Sequence, residues 1–175
     1  MQGPGEIWLL AADSFEATLN QVGEDQWTDP TGCGEWSVRE LVDHALFWQC
    51  NLAGVVGVEV TPEDGWDTIK GAVAGQLQDP AVLDGTVDAG PMTGMPKHQA
   101  MGLATADVLV HGWDLARAIG ADDTLPDAAV EAVHMGLMQA PPEMIRNPQV
   151  FGPIVEVPAD ASAQDKLIGF VGRQP

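Results

Sequence analysis

Between Lys97 and Ile119 the chain runs without a proline, and Gly120 follows where a helix needs a left-handed residue to stop. This predicts one long helix, and a long helix in a soluble chain has to cover its apolar side with other elements. The rest of the sequence supplies such elements in helical form. Ile7, Leu10, Ala11, Ala17 and Leu19 recur with few breakers over residues 6–21. Ser37 stands where an N-cap should, with Glu40 three residues on, so SVRE reads as a capping box opening a helix to about Val56. A weaker helical stretch follows at about 64–78. Residues 79–96 hold three Gly and three Pro, which forbids a regular helix and predicts an irregular crossover. The next helix is expected after Pro126, with Asp127 in its first turn, ending at Pro141-Pro142. The tail FGPIVEVPADASAQDKLIGFVGRQP is extended and proline-punctuated until about Ser162, where a short last helix begins. The expectation is four main helices with a long crossover and an extended C-terminal tail, residues 1–175 forming one domain.

Two of these helices bring chemistry inward. On the second, Leu41, Trp48, Leu52 and Val55 recur at three- and four-residue spacings, and His44 falls on the same stripe. On the long helix, steps of about 100° per residue place Leu103, Asp107, Val108, His111, Asp114, Leu115 and Ala118 on one broad arc. Asp107 and His111 lie one turn apart and present an oxygen and a nitrogen to a common point, as metal-binding helices of bundles do. His44 would add a third ligand, leaving a coordination position open as in catalytic sites. The pattern alone also fits a hydrogen-bonded core histidine, or an Asp/His pair bonding side chain to side chain. Asp114 either accepts from an imidazole N–H or pairs with Arg117. His98 reads as a solvated residue near a helix start, and His134 as an ordinary residue of the following helix. Trp48, Trp113, Met92, Met95 and Met101 read as core, with a pocket wall as the alternative.

Composition narrows the partners. Seven Lys and Arg against 26 Asp and Glu give a formal net charge of −19, a field that repels nucleic acid. No run reaches the roughly 18–20 apolar residues of a membrane span, and the start, MQGPGEIWLL, lacks a basic signal-peptide region, so a cytoplasmic protein is expected. Cys33 and Cys50 show no zinc-knuckle spacing and read as free thiols, Cys33 in the Gly-flanked turn TGCGEW. Neither a nucleophile elbow nor a phosphate-cradling glycine loop is present.

The stretches TGCGEWSVRELVDHALFW, ATADVLVHGWDLARAIG and FGPIVEVPADASAQDKLIGFVG resemble the actinobacterial branch of the DinB-like superfamily, which includes the metal-binding domain of mycothiol-dependent maleylpyruvate isomerase. The resemblance runs from about residue 6 to the C-terminus. It implies an all-α, four-helix bundle whose divalent ion is held by a His on the second helix and by an acidic-x-x-x-His pair on the long one. Those positions are His44, Asp107 and His111. It further implies zinc first, nickel or another divalent ion as alternatives, and mycothiol as cosubstrate. A small-molecule substrate and, as in many relatives, a homodimer complete the expectation. Two features depart from the isomerases: the acidic ligand is Asp where they usually carry Glu, and a chain of 175 residues is not expected to include their C-terminal domain. The leading expectation is a metal-dependent thiol transferase or isomerase. Its rivals are a non-catalytic binding or stress-response module, and a biosynthetic enzyme such as a cyclase using the bundle cavity without metal.

Overall fold

A computed structural model describes residues 2–146 and 150–175. The described residues are helical, with only isolated β-bridges at Pro30–Ser37 and Thr86–Pro96. They form two compact units, Met1–Asp123 and Thr124–Pro175.

The first unit carries four α-helices: α1 (Pro4–Leu19), α2 (Val38–Val55), α3 (Gly65–Gln76) and α4 (Lys97–Ile119). Both α1 and α2 pack on α4, and α3 packs on α2. The capping box at Ser37 forms as the sequence predicts: Ser37 Oγ accepts from the Glu40 N–H, and the Glu40 carboxylate accepts from the Ser37 N–H at 2.8 Å. Gly120 closes α4 at φ 72°, a left-handed conformation that costs glycine little. The expected crossover is irregular, with one 3-10 turn at Pro80–Leu83. Its far end folds back on itself, the Val87 N–H donating to Met95 O and the Lys97 N–H to Gly85 O, which delivers the chain to the start of α4.

Two expectations about the helix faces need correction. The buried stripe of α2 is Leu41, Val42, Ala45, Gln49, Leu52, Ala53 and Val55. Its centre is rotated away from His44 and Trp48, which lie half-buried at its edge. On α4 there is no single inward arc. From Ala104 to Ala116 every residue except Asp107 is buried, while Leu103 and Ala118 at the ends of the expected arc are half-buried. The helix is covered on all sides by its neighbours, so a one-faced periodicity does not describe it. Gln49 ties three helices together inside this core, its amide accepting from Trp8 Nε1 at 2.9 Å and donating to Ala104 O at 3.1 Å.

The second unit holds α5 (Asp127–Gln139), a single turn α6 (Pro142–Ile145) and α7 (Ala163–Phe170), with α5 packed on α7. The turn α6 was not expected; Pro142 opens it at a first-turn position, where proline's fixed φ suits a helix. The stretch before α7 is extended as predicted and lies against it, the Val155 N–H donating to Gly169 O at 2.9 Å. Among the described residues no helix is long and apolar enough to cross a membrane.

Candidate metal centre

His44 reaches the site from the exposed margin of α2, and Asp107 and His111 reach it from the centre of α4. The three ligand atoms lie within 4.8 Å of one another. Asp107 Oδ1 is 3.2 Å from His44 Nε2 and 3.5 Å from His111 Nε2. The other carboxylate oxygen, Asp107 Oδ2, is buried and has no hydrogen-bond partner among the described residues. An orphaned carboxylate oxygen in a helical interior costs free energy unless a donor or a cation meets it. The two rings stand edge to face with centroids 5.0 Å apart.

Asp114 resolves its alternatives in favour of the imidazole: its side chain is buried, with Oδ2 3.0 Å from His111 Nδ1, while Arg117 pairs with Asp123 at 3.2 Å. That contact turns Nε2 of His111 toward Asp107. Trp36, half-buried, lies beside both imidazoles, its ring centroid 4.6 Å from His44 and 6.0 Å from His111. Trp48 meets the outer side of His44 at 6.3 Å.

Protonation follows from this geometry. Burial opposes ionisation of Asp107, but the charge and hydrogen bond of His111, then those of His44, hold its carboxyl below the ordinary range. Burial likewise opposes a charged His111, and is outweighed by the Asp107 carboxylate and by hydrogen bonds to Asp107, Asp114 and Cys33, which lift the imidazole well above its ordinary 6.5. Asp107 and His111 thus form a buried ion pair, in which a divalent cation would take the place of the imidazole's proton.

The other candidates lie elsewhere. His98 is exposed near the start of α4, and His134 sits in the second unit with its ring 5.4 Å from that of Phe170. Met92, Met101 and Trp113 are buried in the core and Met95 is half-buried. Cys33 and Trp36, which sequence reasoning did not connect to the site, border His111. Both precede α2 in a turn far from α4 in the sequence, so no spacing rule links them to it.

An all-helical unit with an inward His/Asp/His set defines this chain as a DinB-like bundle carrying a candidate metal-ligand cluster. Residues 8–91 match the family described as the mycothiol maleylpyruvate isomerase N-terminal domain. The matched span contains His44; Asp107 and His111 lie beyond it. Two curated relatives are the uncharacterized proteins MT0763 and Rv0738 of Mycobacterium tuberculosis, from strains CDC 1551 / Oshkosh and H37Rv. Each is 29% identical over 170 residues, covering 93% of this chain and 93% of the relative. No solved structure matches the chain.

Proposed function

We propose that this chain is a metal-dependent enzyme acting on a small organic molecule, in which His44, Asp107 and His111 hold a divalent cation and a low-molecular-weight thiol such as mycothiol is the cosubstrate. The observation that carries the reading is the convergence of three donors on one point together with the buried, unpartnered Asp107 Oδ2. Two imidazoles and a carboxylate suit zinc, nickel and related ions, and three protein ligands leave room for an exogenous one. Bound there, the cation would supply the positive charge that keeps a thiol deprotonated at neutral pH, ready to add to an electrophilic carbon.

The chain's own residues prepare that chemistry. Asp114 holds the His111 ring by Nδ1 and so keeps the Nε2 lone pair available on the ligand side. Trp36 and Trp48 flank His44 with apolar surface, which limits water around the set. His44 has the most exposed side chain of the three, at 26% against 19% for Asp107 and 8% for His111, so small molecules approach from its side. Elimination after thiol addition gives isomerisation, and retention of the adduct gives transfer.

Titration of the purified full chain with Ni²⁺, an ion that imidazole suits, is expected to show a single ion per chain. His44→Ala should weaken that binding at least about tenfold. Protein that takes up none of zinc, nickel or cobalt overturns the reading. A bound ion without consumption of mycothiol against any electrophile reduces it to a binding module, and turnover insensitive to chelation replaces it with metal-independent catalysis.

A further inference from the structure

His111 also borders a second set of donors. A carboxylate oxygen of Asp114, a ring nitrogen of His111 and Sγ of Cys33 all lie within 4.8 Å of one another. Ligands of one cation can be separated by up to the sum of two bond lengths, about 4.4 Å for a thiolate and an imidazole on zinc, so a shift of a few tenths of an ångström gathers the three. The donors are held from two directions. His111 and Asp114 are buried one turn apart on α4. Cys33 is half-buried in a turn fastened on both sides: the Thr31 N–H and hydroxyl both donate to Trp36 O, at 2.9 and 2.8 Å, and the Cys33 N–H donates to Thr31 Oγ1 at 3.2 Å. Gly34 follows at φ +63°, which lets the chain reverse beside α4. Cys33 Sγ thus stands beside the imidazole, within the same 4.8 Å.

We infer that Cys33, His111 and Asp114 form a second cation site, selective for thiophilic divalent ions, which shares His111 with the first donor set. The two sets differ in kind. One offers two imidazoles and a carboxylate; the other offers sulfur, nitrogen and oxygen, and a soft ion gains most from sulfur. Binding here releases the Cys33 thiol proton and the proton between His111 and Asp114 to solvent, leaving a thiolate and a carboxylate to balance the ion's charge. His44 and Asp107 take no part, so the inference stands whether or not the proposed thiol chemistry does. One histidine serves both sets, and the softness of the ion decides which is filled.

Cadmium is the probe, because a cadmium thiolate gives a near-ultraviolet charge-transfer band that imidazole and carboxylate ligands do not. The reduced wild-type chain, Cys50→Ser and His44→Ala are all expected to develop that band on Cd²⁺ titration, saturating at a single ion per chain, while Cys33→Ser should lose it. Alkylation of the wild-type chain, followed by peptide mass analysis, asks the same question without a variant. Cd²⁺ should slow modification of Cys33 at least about tenfold and leave Cys50 unaffected, because the alkylating nucleophile is the thiolate the ion occupies. A wild-type chain without the band, a band that survives Cys33→Ser, or equal protection of both cysteines overturns the site. Loss of the band in His44→Ala also overturns it, by assigning Cys33 to the first donor set. Failure of the nickel titration, by contrast, touches only the proposed function.

Discussion

The imidazole of His111 lies between two carboxylates, Nε2 facing Asp107 and Nδ1 facing Asp114, and most of what the site does with protons follows from that position. In the cation-free chain the raised affinity of His111 for its proton stabilises the fold fully below its ordinary pKa of 6.5. That contribution is lost as pH rises through the higher folded value. Asp107 behaves in the opposite sense: its lowered pKa stabilises the fold above the ordinary 3.8 and is lost as pH falls through the folded value. Chemical denaturation of the metal-free chain should therefore show greatest stability in the mildly acidic range and decline toward alkaline pH. Asp107→Asn removes the charge that holds the His111 proton and should flatten the alkaline decline; an unchanged profile would mean that Asp107 does not hold that proton. Cation affinity has the reverse slope, since the ion displaces that proton. Apparent affinity should rise about tenfold per pH unit while His111 is protonated, as calorimetry at several pH values would read. Asp114→Asn should cost about 10–100-fold in affinity for a cation bound by His44, Asp107 and His111, the usual loss when a ligand histidine's orienting partner is weakened.

At the scale of the helices, what was legible in the sequence is what local chemistry specifies. Ser37 with Glu40, Gly120 and Pro126 each act on their immediate backbone, and α2, α4 and α5 begin or end where those residues require. The inward direction of His44 was read less well, because a helical stripe is defined by its neighbours and those neighbours are other helices. Gln49, a polar residue, occupies the centre of the α2 face, while His44 is at its edge. The partnership of Cys33 with His111 was not legible at all, since it depends on where a turn is laid against α4. Buried polar ties of this kind are also where single changes cost most. Gln49→Ala would leave Trp8 Nε1 and Ala104 O without their partner and open a cavity, and should destabilise the first unit by at least about 2 kcal/mol in urea denaturation. In the second unit, Gly169 admits the extended chain against α7. A Cβ there would stand 2.6 Å from Val155 O and 2.9 Å from Val157 Cγ1, and the first of these is backbone that cannot swing aside. Gly169→Ala should therefore cost about 1–3 kcal/mol through overpacking, whereas Gly136→Ala on α5, with nothing within 4 Å of the added carbon, should cost nothing.

For the molecule as a whole, a net charge of −19 sets how any cation effect has to be read. Self-repulsion among so many carboxylates weakens the compact state, and any divalent salt relieves part of it by screening without occupying a site. A site-bound ion adds a contribution that depends on affinity, about 2.7 kcal/mol when the free ion is at a hundred times its dissociation constant. Because the chain divides into two compact units, a single melting temperature would mix the two, and hydrogen exchange resolved by peptide separates them. Nickel is expected to raise protection across α2 and α4, which carry His44, Asp107 and His111, and to leave α5 and α7 at the level that Mg²⁺ produces at equal ionic strength. His44→Ala should need at least about tenfold more nickel to reach the same protection of α2. If nickel and magnesium protect α2 and α4 alike, in the wild type and in the variant, cations act on this protein through its overall charge, and the convergence of three donors is a hydrogen-bonded feature of the core.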